Sequence, residues 1–185
     1  MTDRFVFHAT DLPRVQWIEP SVHGDERGFF METYRASDFA AAGIADVFIQ
    51  DNQSRSARGV LRGLHTQKAH PQAKLVRCVA GAVWDVAVDI DPESSTFARW
   101  FGIELSAANH RELYIPAGMA HGFLSLEEGT EVVYKCTAYY DPADETGILW
   151  SDQMLNVAWP LARTGQPVLS AKDLGLPTLD RYVRR

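Results

Sequence analysis

Cysteine is scarce in this sequence, which holds only Cys78 and Cys136 among its 185 residues. Both lie in apolar runs, so we expect them to be buried and reduced rather than joined in a disulfide. Positive charge is also short, since 18 lysines and arginines face 24 aspartates and glutamates, for a net charge of -6. That balance argues against nucleic acid as the main partner, although a locally basic pocket for an anionic small molecule is compatible with it.

Long apolar runs are missing as well. No window approaches the length of a transmembrane helix, and the first residues, Met1 to Phe5, have neither the basic flank nor the apolar stretch of a signal peptide. We therefore expect no membrane contact and a cytoplasmic location. The hydrophobic share of 46% is typical of an ordered globular chain, and the length suits one domain spanning residues 1–185.

Short β-like runs dominate the pattern, and they predict an all-β fold. From residue 59 onward, runs rich in Val, Ile, Phe, Tyr and Trp recur about every 8–12 residues between turn residues. This spacing predicts an antiparallel sandwich or jelly-roll barrel with few helices. The expected strands lie at 5–7, 15–18, 29–34, 47–50, 74–78, 83–90, 100–105, 112–115, 122–126 and 131–139.

Helix signals are few and short. The best candidate is Ser37–Ala42, which has a serine cap, an acidic residue in its first turn and Gly43 as a stop. After Pro160 the pattern loosens into coil with one short helix opening at Ser170. We expect residues 160–185 to form an extension that folds back over the barrel.

The segment from Gly59 to Gln67 carries ionisable groups into an apolar region. It contains Arg62 and His65, and Lys74 follows closely. Such groups are costly among apolar neighbours unless they have partners or a task, so the segment is a candidate site. Arg62 and His65 would face opposite sides of a regular strand because they are an odd number of residues apart. Gly63 therefore predicts a bulge or kink at Gly63–Leu64.

The turn from Pro116 to His121 resembles the second motif of the cupins, which are small jelly-roll barrels with an internal site. Gly81 stands at the offset that the first cupin motif requires, but Lys74 occupies the position of its metal-binding glutamate. A charged lysine has only donors and cannot ligate a metal. The resemblance therefore predicts a cupin barrel without a metal site.

Eight segments in order resemble one family, the dTDP-4-dehydrorhamnose 3,5-epimerases, over about residues 15 to 180. Two departures from the family pattern are Thr66, where an aromatic commonly follows the histidine, and Ala73, where a glycine commonly precedes the lysine. Neither removes a catalytic group. The matching segments are 24–32, 50–52, 59–67, 74–77, 84–89, 115–123, 134–136 and 169–173.

The resemblance implies epimerisation of dTDP-4-dehydro-6-deoxy-D-glucose at C3 and C5, giving dTDP-4-dehydro-L-rhamnose for dTDP-L-rhamnose biosynthesis. Hydrogens beside a ketone are acidic, so a base removes one to form an enolate and an acid returns a proton from the other face. No redox cofactor or metal is chemically necessary. The alternatives are a single-carbon epimerase or a ketoisomerase acting on a related nucleotide keto-sugar, and a non-catalytic sugar-binding cupin.

By resemblance, His65 is the base, and a histidine suits this role because its imidazole ordinarily titrates near neutral pH. Asp173 matches the carboxylate that fixes the tautomer of this base, and Lys74 matches the cation that stabilises the enolate oxygen. Tyr134 matches the acid. Tyr139 and Tyr140 are rivals for that role, and the residues alone do not separate Tyr134 from Tyr140.

A further set of residues falls where the family contacts its substrate. An arginine fork suits a diphosphate, which makes Arg62 and Arg27 the expected anion partners, and Lys172 could add a point charge. The two glutamates of the set must serve the sugar, the base or a neighbouring cation. The resemblance also implies a homodimer whose N-terminal strands join the partner's sheet. The set consists of Arg27, Glu32, Gln50, Asn52, Arg62, His121, Glu145 and Lys172.

Overall fold

The structure, a computed structural model, describes residues 4–184. Within them the chain forms thirteen strands and four short helices. The strands are β1 (Phe5–Ala9), β2 (Gln16–Pro20), β3 (His23–Asp25), β4 (Gly28–Phe30), β5 (Gln50–Ser56), β6 (Leu61–Gln67), β7 (Lys74–Ala80), β8 (Ala82–Val88), β9 (Trp100–Ser106), β10 (Glu112–Ile115), β11 (Ala120–Ser125), β12 (Thr130–Cys136) and β13 (Glu145–Gly147). The helices are α1 (Ala36–Ala41), α2 (Leu161–Thr164), α3 (Ala171–Leu174) and α4 (Leu179–Val183).

Two antiparallel sheets face each other in a jelly-roll barrel, which confirms the expected all-β fold. One sheet has six strands in the order β1-β2-β10-β7-β12-β5, and the other has five in the order β13-β6-β11-β8-β9. Strands β3 and β4 form a separate hairpin. Apart from β1–β2 and β8–β9, neighbours in the two sheets are not consecutive in sequence, so each wall of the barrel collects side chains from several parts of the chain.

Apolar side chains fill the space between the sheets and cover both outer faces. Val76, Leu113 and Phe123 belong to the cluster between the sheets. The outer face of the five-stranded sheet packs against the C-terminal segment through residues such as Leu179, and Val168 exchanges backbone hydrogen bonds with the start of β6. The C-terminal segment therefore returns to the strand that carries His65.

Several predicted boundaries were wrong. The expected run 47–50 is not a strand, and β5 begins at Gln50 and consists of polar residues because it is an edge strand paired only with β12. The run 131–139 ends at Cys136, and the run 29–34 ends at Phe30. Strand β13 and the helices α2 and α4 were missed because they are at most five residues long.

The helix predictions were right about position and partly wrong about capping. Helix α1 begins at Ala36, and Arg35 at its N-cap makes no side-chain cap bond, so Ser37 is not the cap. Helix α3 confirms the short helix at Ser170, whose hydroxyl accepts from the Asp173 amide. Among the described residues, none of the helices is long and apolar enough to cross a membrane. Both cysteines are buried and unpaired, as expected.

Candidate active site

A cavity of about 300 Å³ opens between the two sheets and gathers most of the predicted site residues. The five-stranded sheet contributes side chains from β6 and β11, and the six-stranded sheet contributes side chains from β5, β7 and β12. The segment after β12 and the C-terminal segment add residues at the mouth. The predicted residues that line the cavity are Asn52, Arg62, His65, Lys74, His121, Tyr134, Glu145 and Lys172.

An irregularity in β6 lets both Arg62 and His65 reach this cavity. The register of β6 against β11 shifts between His65, which lies opposite His121, and Arg62. The peptide bond between Gly63 and Leu64 is cis. Gly63 has φ +128°, and a Cβ atom there would lie 2.5 Å from the Cα of the facing strand's glycine, so only glycine fits. The predicted irregularity at Gly63–Leu64 is confirmed.

His65 and Asp173 form a close pair although 108 residues separate them in sequence. His65 Nε2 lies 2.5 Å from Asp173 Oδ1, and the Ser170 hydroxyl donates to the other carboxylate oxygen at 2.7 Å. Burial alone would raise the pKa of Asp173, but the hydrogen bonds from His65 and Ser170 outweigh it and lower that pKa. An ionised Asp173 holds the proton on Nε2 and leaves Nδ1 free to accept one.

Glu145 lies on the Nδ1 side of the same imidazole. Its Oε1 is 3.8 Å from His65 Nδ1, and its Oε2 accepts from the Tyr140 hydroxyl at 2.5 Å and from the Lys172 ammonium. Burial would raise the pKa of Glu145, but the bonds from Lys172 and Tyr140 and the nearby His65 lower it. His65 thus sits between two carboxylates held in their ionised form.

A second histidine, His121, is paired with Asp85. His121 Nε2 lies 2.9 Å from Asp85 Oδ1, and neither residue is appreciably exposed. Burial lowers the pKa of His121, and the carboxylate of Asp85 only partly opposes that shift. The sequence analysis did not identify Asp85 as a site residue. Its position within the apolar run of β8 was a usable signal, since a buried carboxylate requires a partner.

The opposite wall carries Lys74 on β7 and Tyr134 on β12. Burial lowers the pKa of Lys74, and the nearby carboxylates of Asp85 and Glu145 oppose that shift only in part. Burial raises the pKa of Tyr134, so its phenol is protonated at neutral pH and able to donate. The cavity therefore has a candidate base on one wall and a candidate acid and cation on the other.

Three glutamine side chains hold the loop 138–141 at the mouth of the cavity. Gln72 donates to the carbonyl of residue 138 at 2.7 Å. Gln67 donates to the carbonyl of residue 139 at 3.2 Å and accepts from the amide of residue 141 at 2.9 Å. Gln50 accepts from the Tyr140 amide at 2.9 Å. We call these residues the glutamine clamp, and it fixes the loop that carries Tyr140.

The clamp bears on two sequence expectations. Gln50 was expected to contact the substrate, but both ends of its amide are bonded within the chain, since it also donates to Asn52 Oδ1 at 2.8 Å. Asn52 lines the cavity, and Gln50 is not among the lining residues. Tyr134 and Tyr140 do not share a strand, because β12 ends at Cys136. Both tyrosines nevertheless line the cavity, while Tyr139 is 69% exposed and does not.

The structure does not bring Arg27 and Glu32 into the cavity of their own chain. Arg27 lies at the tip of the β3–β4 hairpin, where it pairs with Asp25, and its side chain is 85% exposed. Glu32 follows the hairpin and pairs with Arg4 at 2.9 Å and with Arg35 at 3.4 Å. Among residues 4–184, no group of three or more His, Cys, Asp or Glu side chains could hold a metal ion.

A jelly-roll barrel with a histidine–aspartate pair facing a lysine and a tyrosine across its cavity has the groups that an isomerase working by proton transfer requires. The model of the dTDP-4-dehydrorhamnose 3,5-epimerase family matches residues 9–181. The chain belongs to this family.

Relatives and solved structures agree with this assignment. The chain is 51% identical to the dTDP-4-dehydrorhamnose 3,5-epimerase of Salmonella typhimurium, over 93% of this chain and 94% of the relative. It is similar, with a TM-score of 0.92 and 45% identity, to the dTDP-6-deoxy-D-glucose-3,5-epimerase of Legionella pneumophila in complex with dTDP-4-keto-L-rhamnose, covering 95% and 93% of the two chains. A 3'-monoepimerase of Streptomyces bikiniensis in complex with dTDP-quinovose is similar at a TM-score of 0.89 and 36% identity, covering 96% and 89%.

Proposed function

We propose that the chain inverts C3 and C5 of dTDP-4-dehydro-6-deoxy-D-glucose, yielding dTDP-4-dehydro-L-rhamnose for dTDP-L-rhamnose biosynthesis. The observation that carries the proposal is the placement of His65, held by Asp173, across the cavity from Tyr134. Inversion requires a base on one face of the sugar ring and an acid on the other. The family membership supplies the substrate class, a nucleotide-linked sugar.

Each inversion proceeds by two proton transfers. Nδ1 of His65 takes the proton from the carbon beside the C4 ketone, and the electron pair moves to the C4 oxygen to give an enolate. Lys74 donates to that oxygen, and a fixed cationic donor at a developing oxyanion typically contributes about 3–4 kcal/mol. Tyr134 then delivers a proton to the same carbon from the opposite face.

The remaining polar residues of the cavity are assigned to substrate binding. Arg62 is exposed at the rim, and its guanidinium suits the diphosphate, with Lys172 as a second cation. His121 and Asn52 also line the cavity and are assigned to the sugar. Glu145 faces the base rather than an anion.

A homodimer is part of the proposal, with exchange of N-terminal segments between subunits. The β3–β4 hairpin pairs with neither large sheet, and its Phe29 and Phe30 are 61% and 67% exposed. An isolated hairpin is marginally stable in water, so a second copy is the expected cover. Exchange would deliver Arg27 and Glu32 to the partner's cavity. Sedimentation of wild type and of Phe30→Ser tests this: a dimeric wild type and a weakened variant are expected, and a monomeric wild type would contradict the homodimer.

We also propose a single domain over residues 1–185, with 160–185 as an extension over the barrel, and a cytoplasmic location. The contact of Asp173 with His65 and the packing of Leu179 in the core support the first proposal. The unpaired Cys78 and Cys136 suit a reducing compartment.

The alternative is inversion of one carbon, and the similarity to a 3'-monoepimerase is the observation that favours it. Turnover in deuterated water, followed by NMR of the product, separates the two functions. Double epimerisation labels both C3 and C5, whereas label at one carbon alone would support the alternative. A non-catalytic sugar-binding role would be indicated if His65→Ala and Tyr134→Phe each lost no more than a few-fold of any activity.

A further inference from the structure

Two successive inversions impose a requirement on the base, and the inference that follows rests on the proposed function. After the first inversion His65 holds the proton taken from one carbon. It must release that proton before it can attack the second carbon, or before the next turnover begins. A proton route from the imidazole to solvent is therefore needed in addition to the acid and the base.

The side of the imidazole that faces Asp173 offers only an indirect route. His65 Nε2 and Asp173 Oδ1 are 2.5 Å apart, and the other oxygen of Asp173 accepts from Ser170. Asp173 is only 4% exposed. A proton passed to this carboxylate could reach solvent only through the Ser170 hydroxyl, which is exposed but is held by its bond to the same carboxylate.

The Nδ1 side leads outward through Glu145. Oε1 of Glu145 lies 3.8 Å from Nδ1, a gap that a small side-chain movement or one bridging water would close. The other oxygen, Oε2, is bonded to Tyr140 and Lys172. Tyr140 is 49% exposed and the side chain of Lys172 is 49% exposed, so this end of the carboxylate reaches the mouth of the cavity.

We propose that Glu145 is a relay residue that returns His65 to its neutral form by carrying its proton to solvent. The proton leaves Nδ1 and binds Oε1, which converts the imidazolium to imidazole and the carboxylate to a carboxylic acid. The acid then gives the proton to water at the mouth, beside Tyr140 and Lys172, and the carboxylate is restored. Water is the only further reactant. Tyr134 regains its own proton from solvent in a separate step.

The bonds from Tyr140 and Lys172 serve the release step. They favour the ionised carboxylate, so a proton that arrives from His65 is held only briefly. The glutamine clamp keeps the Tyr140 backbone in place while this happens. Glu145 acts through His65 and is distinct from the base itself.

The first test is Glu145→Gln, followed by single-turnover labelling in deuterated water. The amide keeps an acceptor for Tyr140 but cannot take a proton from His65. We expect the second inversion to slow relative to the first by more than about tenfold, within the range of acid–base groups, whatever the variant does to substrate binding. Singly labelled product should then accumulate. An unchanged ratio of singly to doubly labelled product would overturn the proposal.

Buffer rescue separates a relay from a merely structural role. In Glu145→Ala, added formate or imidazole should restore the rate in proportion to its concentration, while wild type should not respond. The matched control is Asp144→Asn, the neighbouring carboxylate, which bonds the backbone of residues 68–70 and should show no buffer dependence. Absence of rescue in Glu145→Ala would contradict the relay.

Failure of the proposed function gives a different result. If wild type itself labels only one carbon, the double epimerisation is wrong. The relay is still required between turnovers in that case, and the buffer dependence of Glu145→Ala still tests it.

Discussion

The two faces of β12 border two cavities in which the pKa values of buried carboxyl groups shift in opposite directions. On the inner face, Tyr134 looks into the active-site cavity, where Asp173 and Glu145 are bonded by cationic or hydroxyl partners and have lowered pKa values. On the outer face, a cavity of about 360 Å³ is bordered by Arg77, Glu112 and residues of β5 and β12. There Glu112 is fully buried, and among the described residues neither of its carboxylate oxygens has a hydrogen-bond partner.

Burial raises the pKa of both Glu112 and Asp173, and they differ because only Asp173 has hydrogen-bond donors that outweigh it. Burial raises the pKa of Glu112 to about 8, and the positive charges of Arg77 and Lys135 offset it only in part. Asp173 is almost as buried, yet its pKa is lowered because His65 and Ser170 donate to it. The carboxyl groups of Asp173 and Glu145 are therefore ionised at neutral pH, whereas that of Glu112 is protonated.

The largest effect should come from removing the acid on the inner face. Tyr134→Phe should lower kcat by roughly 10²–10⁴-fold because the phenol delivers the proton. Tyr140→Phe is the matched control, and it should lose much less because Tyr140 only donates to Glu145. Steady-state rates of the two variants measure this, and a greater loss in Tyr140→Phe would reassign the acid.

The two lysines of the inner and outer cavities provide the next comparison. Lys74→Met should lower kcat by about 10²–10³-fold, as expected for loss of an oxyanion donor, whereas Lys135→Met on the outer face should change kcat by no more than a few-fold. The proposed role of Lys74 requires its charged form, and burial lowers its pKa. The kcat of wild type should therefore fall at a lower alkaline pH than the pKa of an exposed lysine would give. Equal losses in both variants would contradict the division between the cavities.

Glu112→Gln should alter the pH dependence of stability. Because its folded pKa of about 8 lies above the ordinary value of 4.5, the folded state binds the extra proton, and wild-type stability falls as pH rises between these values. At pH 9 the variant should be more stable by on the order of 5 kcal/mol, with little difference at pH 4. Urea unfolding at both pH values measures this, with the more exposed Glu131→Gln as control. Equal stabilities at pH 9 would show that Glu112 has a partner.

Two arginines give the smallest expected effect. Arg62→Lys should raise KM by roughly ten- to a hundredfold with little change in kcat, because it loses a fork on the diphosphate worth about 1.5–3 kcal/mol. Arg77→Lys, on the outer face, should leave KM unchanged. Initial-rate measurements over a range of substrate concentrations decide the point, and a matching rise in both variants would remove Arg62 from the diphosphate.

The sequence supports the fold well and the site in part. The strand 112–115 was predicted with its bounds, since residues that favour strands lie there between turn residues. The polar edge strand β5 was misplaced because its stability comes from pairing with β12, which local sequence does not reveal. The kink at Gly63 was predictable from parity, whereas the pairing of Asp85 with His121 depends on two adjacent strands of one sheet. The positions of Arg27 and Glu32 depend on the orientation of the β3–β4 hairpin relative to the barrel, which local sequence does not reveal.

The glutamine clamp has a consequence for how the enzyme responds to its surroundings. Amide groups do not titrate and carry no net charge, so neither salt nor moderate changes in pH weaken the bonds that hold the loop 138–141. Tyr140 therefore stays at the mouth while the ionisable groups around it change state. An activity profile against pH should accordingly report proton transfer in the cavity and not the opening of this loop.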